Sequence, residues 1–335
     1  MSQNTNKFPK FEEIFSFESI LESFNEFKRD KKYKKDVTIF SMNLIGNLSS
    51  LHKDLTNGSY KHGGYRYFKI SDPKPRDIHK ASVRDRIIHH CIYRSLYPYF
   101  NKYFIHDSYS CRLEKGTHRA IHRFESFSRK ESENGTKTIW IIKCDIKKCF
   151  ASVDHSVLKS VLKHYLKCNK TFNVVNSIID SFDSGFSGKG IPLGNLTSQL
   201  FINIYLNELD QFMKRKIKAK FYIRYADDFV IFSEDKDYLW ELVSKIWEFL
   251  EEELKLQLHP NKLFIKTLSS GIDFLGWVHF SNHRVLRTST KSRMFKRLEG
   301  EFKKETLASY LGLLSHGNAF KLEGRIRNMS ILQKV

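Results

Sequence analysis

Two short apolar runs, Phe221-Tyr-Ile-Arg-Tyr225 and Phe229-Val-Ile-Phe232, stand on either side of Ala226-Asp227-Asp228. β-Branched and aromatic residues on both sides of so short a break predict a tight hairpin with its acids at the turn. An earlier run, Thr138-Ile-Trp-Ile-Ile-Lys-Cys-Asp145, also ends in a carboxylate. Its composition suits a buried strand that delivers Asp145 at its end. If the strands are neighbours in one sheet, Asp145, Asp227 and Asp228 form one cluster. Taken singly, a strand-end Asp is ordinarily a turn former or cap and an Asp-Asp pair ordinarily a solvated turn, so the surrounding residues must decide.

The rest of the chain is mixed helix and strand, without a fixed repeat or a long Gly/Ser or Pro linker, so sub-domains must pack closely. Helical spacing runs through residues 10–60, closing at Asn57-Gly58. Tyr65–Ile70, broken by Ser71-Asp-Pro-Lys-Pro75, predicts a hairpin whose tip carries Lys74 and Arg76. Helices are expected over 83–100, ending near Pro98, over 154–181, over 196–214 and over 238–254. Residues 128–137 and 184–192 are expected as loops, and 273–277 as a short aromatic strand and turn. From Arg284 to Val335 there are 12 Lys/Arg and 4 Asp/Glu, which predicts a small helical module with a basic face.

Charge points to the partner class. Lys plus Arg number 57 against 37 Asp plus Glu, a net +20, with 14% aromatic residues. Basic side chains replace counterions on phosphates and aromatic faces stack on bases, so the balance favours nucleic acid. Five cysteines without metal-site spacing read as reduced. With no signal-peptide pattern and no long apolar run, a cytoplasmic protein without a membrane partner is expected.

The flanks of the acids carry a resemblance. Ile223-Arg-Tyr-Ala-Asp-Asp-Phe-Val-Ile-Phe232 resembles the YxDD signature of reverse transcriptases, and Lys143-Cys-Asp-Ile-Lys-Lys-Cys-Phe150 their first palm motif. The likeness continues in order from about residue 60 to 280, through Asp85-Arg86, Ser108-Tyr-Ser-Cys-Arg112, Gly116-Thr-His118, Gly190-Ile-Pro-Leu-Gly194, Asn261-Lys262 and Phe274-Leu-Gly276. It implies an α+β right-hand polymerase: fingers over 1–138, a palm of antiparallel sheet backed by helices over 139–283, and a small helical thumb over 284–335.

It also implies site roles. Asp145 and Asp227 match the acids that hold both of two Mg²⁺ ions, for which Mn²⁺ can substitute; Asp228 matches a weaker third acid, and the Ile146 carbonyl completes the nucleotide-side ion. Oxygen ligands suit such ions. Phe150 matches an aromatic gate that leaves no room for a 2′-hydroxyl. Lys74 and Arg76 match basic residues that close on the triphosphate, Arg112 a template-contacting residue, and Lys262 a general acid for the leaving pyrophosphate. Phe274, Leu275 and Gly276 match the primer grip. The partners implied are an RNA template, a DNA or RNA primer and dNTPs.

Gly190-Ile-Pro-Leu-Gly-Asn-Leu-Thr-Ser-Gln199 narrows the resemblance. Group II intron enzymes carry Gln and Pro where this chain has Leu193 and Gln199. The pattern around Leu193, Gly194 and Gln199 is similar to the reverse transcriptases of diversity-generating retroelements, which make cDNA with errors at template adenines and work with a small basic accessory protein. The alternatives are an antiphage-defence or retron-type enzyme and, from another class, a catalytically idle RNA-binding scaffold.

Overall fold

The computed structural model describes residues 8–71, 74–300 and 303–332, with the side chains of 330–332 left out. The chain opens with four helices, α1 (Phe11–Ile14), α2 (Phe17–Lys28), α3 (Lys35–Met42) and α4 (Leu44–Thr56). Ser16 caps α2 by accepting the Ser19 amide, and Ile20, Phe24 and Phe27 form its buried stripe. The hairpin β1 (Tyr65–Ile70) and β2 (Arg76–Ala81) follows in antiparallel register. Asp72 and Pro73, in its expected tip, lie outside the described residues.

Helix α5 (Val83–Phe100) packs on α2 and runs past the expected stop at Pro98. Proline in the last turn forfeits one amide bond, and the burial of Tyr97 and Phe100 carries the helix on. Next comes α6 (Thr117–Glu131), which extends into the expected loop at 128–137 because Phe124, Phe127 and Ser128 lie on a buried face. After β3 (Trp140–Asp145) and the single turn α7 (Cys149–Ser152), the expected helix over 154–181 is two: α8 (His155–Tyr165) and α9 (Asn169–Ile179).

Helix α10 (Leu196–Gln211) ends in a π-helical turn at Phe212–Lys216 and is followed by β4 (Tyr222–Tyr225), β5 (Asp228–Ser233), α11 (Lys236–Glu252) and β6 (Phe264–Thr267). A three-stranded meander, β7 (Ile272–Phe274), β8 (Trp277–His279) and β9 (Arg284–Leu286), leads into α12 (Thr288–Glu299), α13 (Lys304–Leu314) and α14 (Phe320–Leu332). Trp277, Leu286, Met294, Leu298, Leu314 and Ile326 form the core of this C-terminal part. Gly317 permits it, since a Cβ there would lie 2.0 Å from the Trp277 ring.

The central sheet has the order β4-β5-β3-β6, antiparallel throughout. Its two faces are read by period-two alternation. Ile142, Cys144, Tyr222, Phe229 and Ile231 join the core that contains α5, α8, α10 and α11. Ile141, Ile223, Val230 and Phe232 join a second core with Phe124 and Phe127 of α6. A sheet buried on both faces explains why these strands read as apolar runs. This is the mixed arrangement of antiparallel sheet backed by helices that the sequence led us to expect. Among the described residues no helix is long and apolar enough to cross a membrane.

Candidate active site at the end of the central sheet

The register of β3 against β5 places Asp145 directly opposite Asp228. Alternation then sets both side chains on the same face as Lys143, two residues before Asp145. Tyr225 pairs with Asp228, so Ala226 and Asp227 are the two loop residues of the β4–β5 hairpin. Asp228, expected in the turn, is the first residue of β5. The Ile146 amide donates to the Asp227 carbonyl at 3.1 Å, which ties the loop to the end of β3. The His259 amide donates to the Asp145 carbonyl at 2.7 Å and so brings the 3₁₀ turn Pro260–Lys262 alongside.

Lys262 reaches the cluster from that turn, its Nζ lying 2.9 and 3.0 Å from the two oxygens of Asp145. Lys143 Nζ is 3.7 Å from Asp228. Burial, and after it the charge of Asp145, raises the Asp227 carboxyl above its ordinary range. Burial raises Asp228 to about 6, with Asp145 and Asp227 adding to the rise and Lys143 opposing it. The Oδ1 of Asp228 is buried and has no hydrogen-bond partner. A carboxylate set with Asp145 buried, Asp227 and Asp228 half-buried, and one Asp228 oxygen without a hydrogen bond fits divalent cations with oxygen ligands. No group of three or more metal-type side chains converges among the described residues; Asp145 faces the Lys262 ammonium instead.

The raised Asp228 has a measurable consequence. Its folded pKa of about 6 exceeds the ordinary 3.8, so its stabilising protonation is complete below 3.8 and lost as pH rises through 6. In EDTA at pH 7, Asp228→Asn is therefore expected to melt higher than wild type by roughly 3 °C, on ~2 kcal/mol after discounting for partial exposure. The difference should vanish near pH 4. A lower melting temperature at pH 7 contradicts the strained-carboxylate account.

Other expected site residues lie on three further elements. Lys74 is exposed in the loop before β2, whereas Arg76, expected at the tip, is the first residue of β2, paired with Ile70 and exposed; Arg76 is close enough to Asp227 to influence its charge. Phe150 sits half-buried in α7 against the main core; its carbonyl accepts the Ile191 amide at 2.8 Å. Lys148, left-handed at φ 46°, turns the chain from β3 into that helix. The Leu193 carbonyl accepts the His79 amide of β2 at 3.0 Å. Gly194, at φ 104°, has no room for a Cβ, which would meet Ile78 at 2.8 Å. The loop before α10 thus packs on the hairpin, with Gln199 exposed on the first turn.

Phe274, Leu275 and Gly276 form the β7–β8 turn, with φ 53° at Leu275 and 89° at Gly276. Paired positive φ values twist a two-residue hairpin to match its strands. Arg112 spends its guanidinium locally, on Asn101 Oδ1 and the carbonyls of Ile105 and Ser108. Lys143 and Arg224, which the structure places beside the acids, are not among the residues expected from the motifs. Their signal was a charge inside an apolar strand run, where a cation is buried only with a partner.

A four-stranded antiparallel palm with carboxylates at the junction of β3 and β5 belongs to the template-dependent polymerases. The chain is a member of the reverse transcriptase (RNA-dependent DNA polymerase) family, whose model matches residues 69–279. Protein YkfC of Escherichia coli is 25% identical over 76% of this chain and 75% of its own length. The group II intron-encoded protein LtrA of Lactococcus lactis is 23% identical over 80% of this chain. The chain spans about half of LtrA, 52%. Apo telomerase from Candida tropicalis shares the fold at a TM-score of 0.52, with 14% identity over 71% of this chain and 52% of that one.

Proposed function

We propose that the chain copies an RNA template into DNA by two-metal nucleotidyl transfer at Asp145, Asp227 and Asp228, and that it is the error-prone polymerase of a diversity-generating retroelement. The observation that carries the polymerase reading is the pairing of Asp145 with Asp228 across adjacent strands, beside Asp227 in the hairpin loop. Asp145, Asp227, Asp228 and the Ile146 carbonyl would hold two Mg²⁺, or Mn²⁺ in their place. These ions supply activation of the primer hydroxyl and neutralisation of the triphosphate.

The chain's own groups do the positioning. Lys74 and Arg76 close on the triphosphate from the hairpin, Arg as a fork and Lys as a point charge. Phe150 excludes a 2′-hydroxyl. Phe274, Leu275 and Gly276 present the β7–β8 turn to the primer, and the basic C-terminal helices grip the duplex backbone. In this account Lys262 leaves Asp145 when the site loads and donates a proton to the leaving pyrophosphate. Residues 1–138, 139–283 and 284–335 serve as fingers, palm and thumb. Arg112 acts on the template only through the loop it holds.

The retroelement assignment rests on Leu193 and Gln199. Correct and incorrect base pairs differ little in intrinsic stability, so fidelity depends on how tightly the site constrains pair geometry. Leucine at 193 offers no hydrogen bond where a glutamine could. On a defined RNA, with the native template and the small accessory protein present, errors are expected to concentrate opposite adenine. Leu193→Gln should cut that bias severalfold, on the order of 1 kcal/mol of discrimination. Deep sequencing of the cDNA measures both. Rare, evenly spread errors end the retroelement reading and leave the polymerase one intact.

A further inference from the structure

Beneath the Ala226-Asp227 loop lies an ion pair with no solvent exposure on either side chain, Arg224 of β4 with Asp210 of α10. Arg224 Nε and Nη2 donate to the two Asp210 oxygens at 2.7 and 2.6 Å. Nη2 also donates to Ser108 Oγ at 3.1 Å, and Nη1 to Asn203 Oδ1 at 3.4 Å and the Ala226 carbonyl at 3.2 Å. Five donors thus meet five acceptors, all that a guanidinium has. The Tyr222 hydroxyl gives Asp210 a further bond at 2.8 Å. Stability alone is a weak reason for such a pair, because apolar residues of similar volume serve a core as well or better.

The loop supplies a reason. Ala226 is left-handed at φ 53°, in the first position of a two-residue hairpin loop, where Gly, Asn or Asp is usual. Alanine brings a Cβ penalty of about 1 kcal/mol there and no polar side chain to offset it. Its carbonyl orientation sets the peptide plane before Asp227, and the bond from the Ile146 amide sets the plane after it. Both planes around Asp227 are pinned, one by Arg224 and one by β3.

We infer that Arg224, held by Asp210, is a positioning residue for the polymerase reaction: it fixes the strained Ala226 peptide and so aims the Asp227 and Asp228 carboxylates. The inference rests on the reading of those two acids as the metal-holding groups. It acts through the loop, so its loss alters metal affinity and turnover and spares RNA binding, which comes from the basic surface.

The test replaces the pair with apolar residues, Arg224→Met with Asp210→Leu, which leaves no orphaned charge. Melting temperature, Mn²⁺ affinity by water-proton relaxation without substrate, kcat, and KM for primed RNA are measured. The variant should stay folded, bind Mn²⁺ at least about tenfold more weakly and lose at least about tenfold in kcat, with KM within about twofold. Adding Ala226→Gly, which takes a positive φ without penalty, should recover a good part of both losses without raising the melting temperature. If the apolar pair does not fold, Arg224→Lys, which keeps a cation on Asp210 but lacks the fork that reaches Ala226, is read the same way.

Wild-type Mn²⁺ affinity and kcat in a folded variant overturn the inference, and so does a glycine that recovers neither. A wild-type protein whose Mn²⁺ binding is indifferent to Asp227→Asn overturns the proposed function instead.

Discussion

Asp227→Asn is expected to abolish Mg²⁺-dependent primer extension on RNA, by at least about 10³-fold, and to leave RNA affinity within about twofold. The substitution is nearly isosteric and removes only the charge that a divalent ion needs. Asp227 lies in the loop between β4 and β5, with its backbone carbonyl on the Ile146 amide, so the loop keeps its anchor. Burial already raises the carboxyl, and the amide therefore relieves the metal-free protein of an unfavourable charge. Its melting temperature in EDTA should not fall. RNA affinity and its salt dependence follow the count of phosphate contacts, which the acids do not make. Extension near the wild-type rate removes Asp227 from the metal site; lost activity with a lowered melting temperature signals misfolding instead.

Phe150→Val is expected to let ribonucleotides in, lowering the preference for dNTP over rNTP by about 10- to 100-fold in single-nucleotide incorporation. The ring stands five residues beyond Asp145, carried there by the left-handed Lys148 and the single turn α7. The Phe150 carbonyl is fixed by the Ile191 amide at 2.8 Å, so truncation changes the side chain and not the path of the backbone. Phe150 also packs against the main core, and the variant should lose ~1–3 kcal/mol of stability as a half-filled core site. The two effects separate cleanly, because a core role alone lowers the melting temperature without moving the sugar ratio. An unchanged ratio assigns Phe150 to packing.

How far the sequence carried the fold differs by element. The strands at 138–145, 221–225 and 229–232 were legible because both faces of the sheet are buried and most positions are apolar, Lys143 and Arg224 being charged exceptions within the runs. The amphipathic helix after them, α11, fell within two residues of its expected span. Boundaries failed where tertiary burial outweighed local signals. Polar composition at 128–131 predicted a loop, yet Ser128 is buried and α6 continues to Glu131. Pro98 predicted a stop, yet Tyr97 and Phe100 are held in the core. Apolar periodicity over 154–181 concealed the break between α8 and α9, since the pattern resumes on the same buried side.

The sequence by itself determined which residues carry charge at the strand ends, and in what order, because a carboxylate after an apolar run has little choice but to stand at the rim of a sheet. It also determined the Leu193–Gln199 pattern and the basic C-terminal stretch, which are matters of composition. Only the tertiary structure decided the antiparallel register that sets Asp145 against Asp228, since register depends on partners more than 80 residues apart in sequence. It alone decided that Lys262 meets Asp145 and that Arg112 serves its own loop. It alone buried Arg224 with Asp210, a pair that no spacing rule announces, because β4 and α10 meet through packing and their charges are stable there only when every donor finds an acceptor.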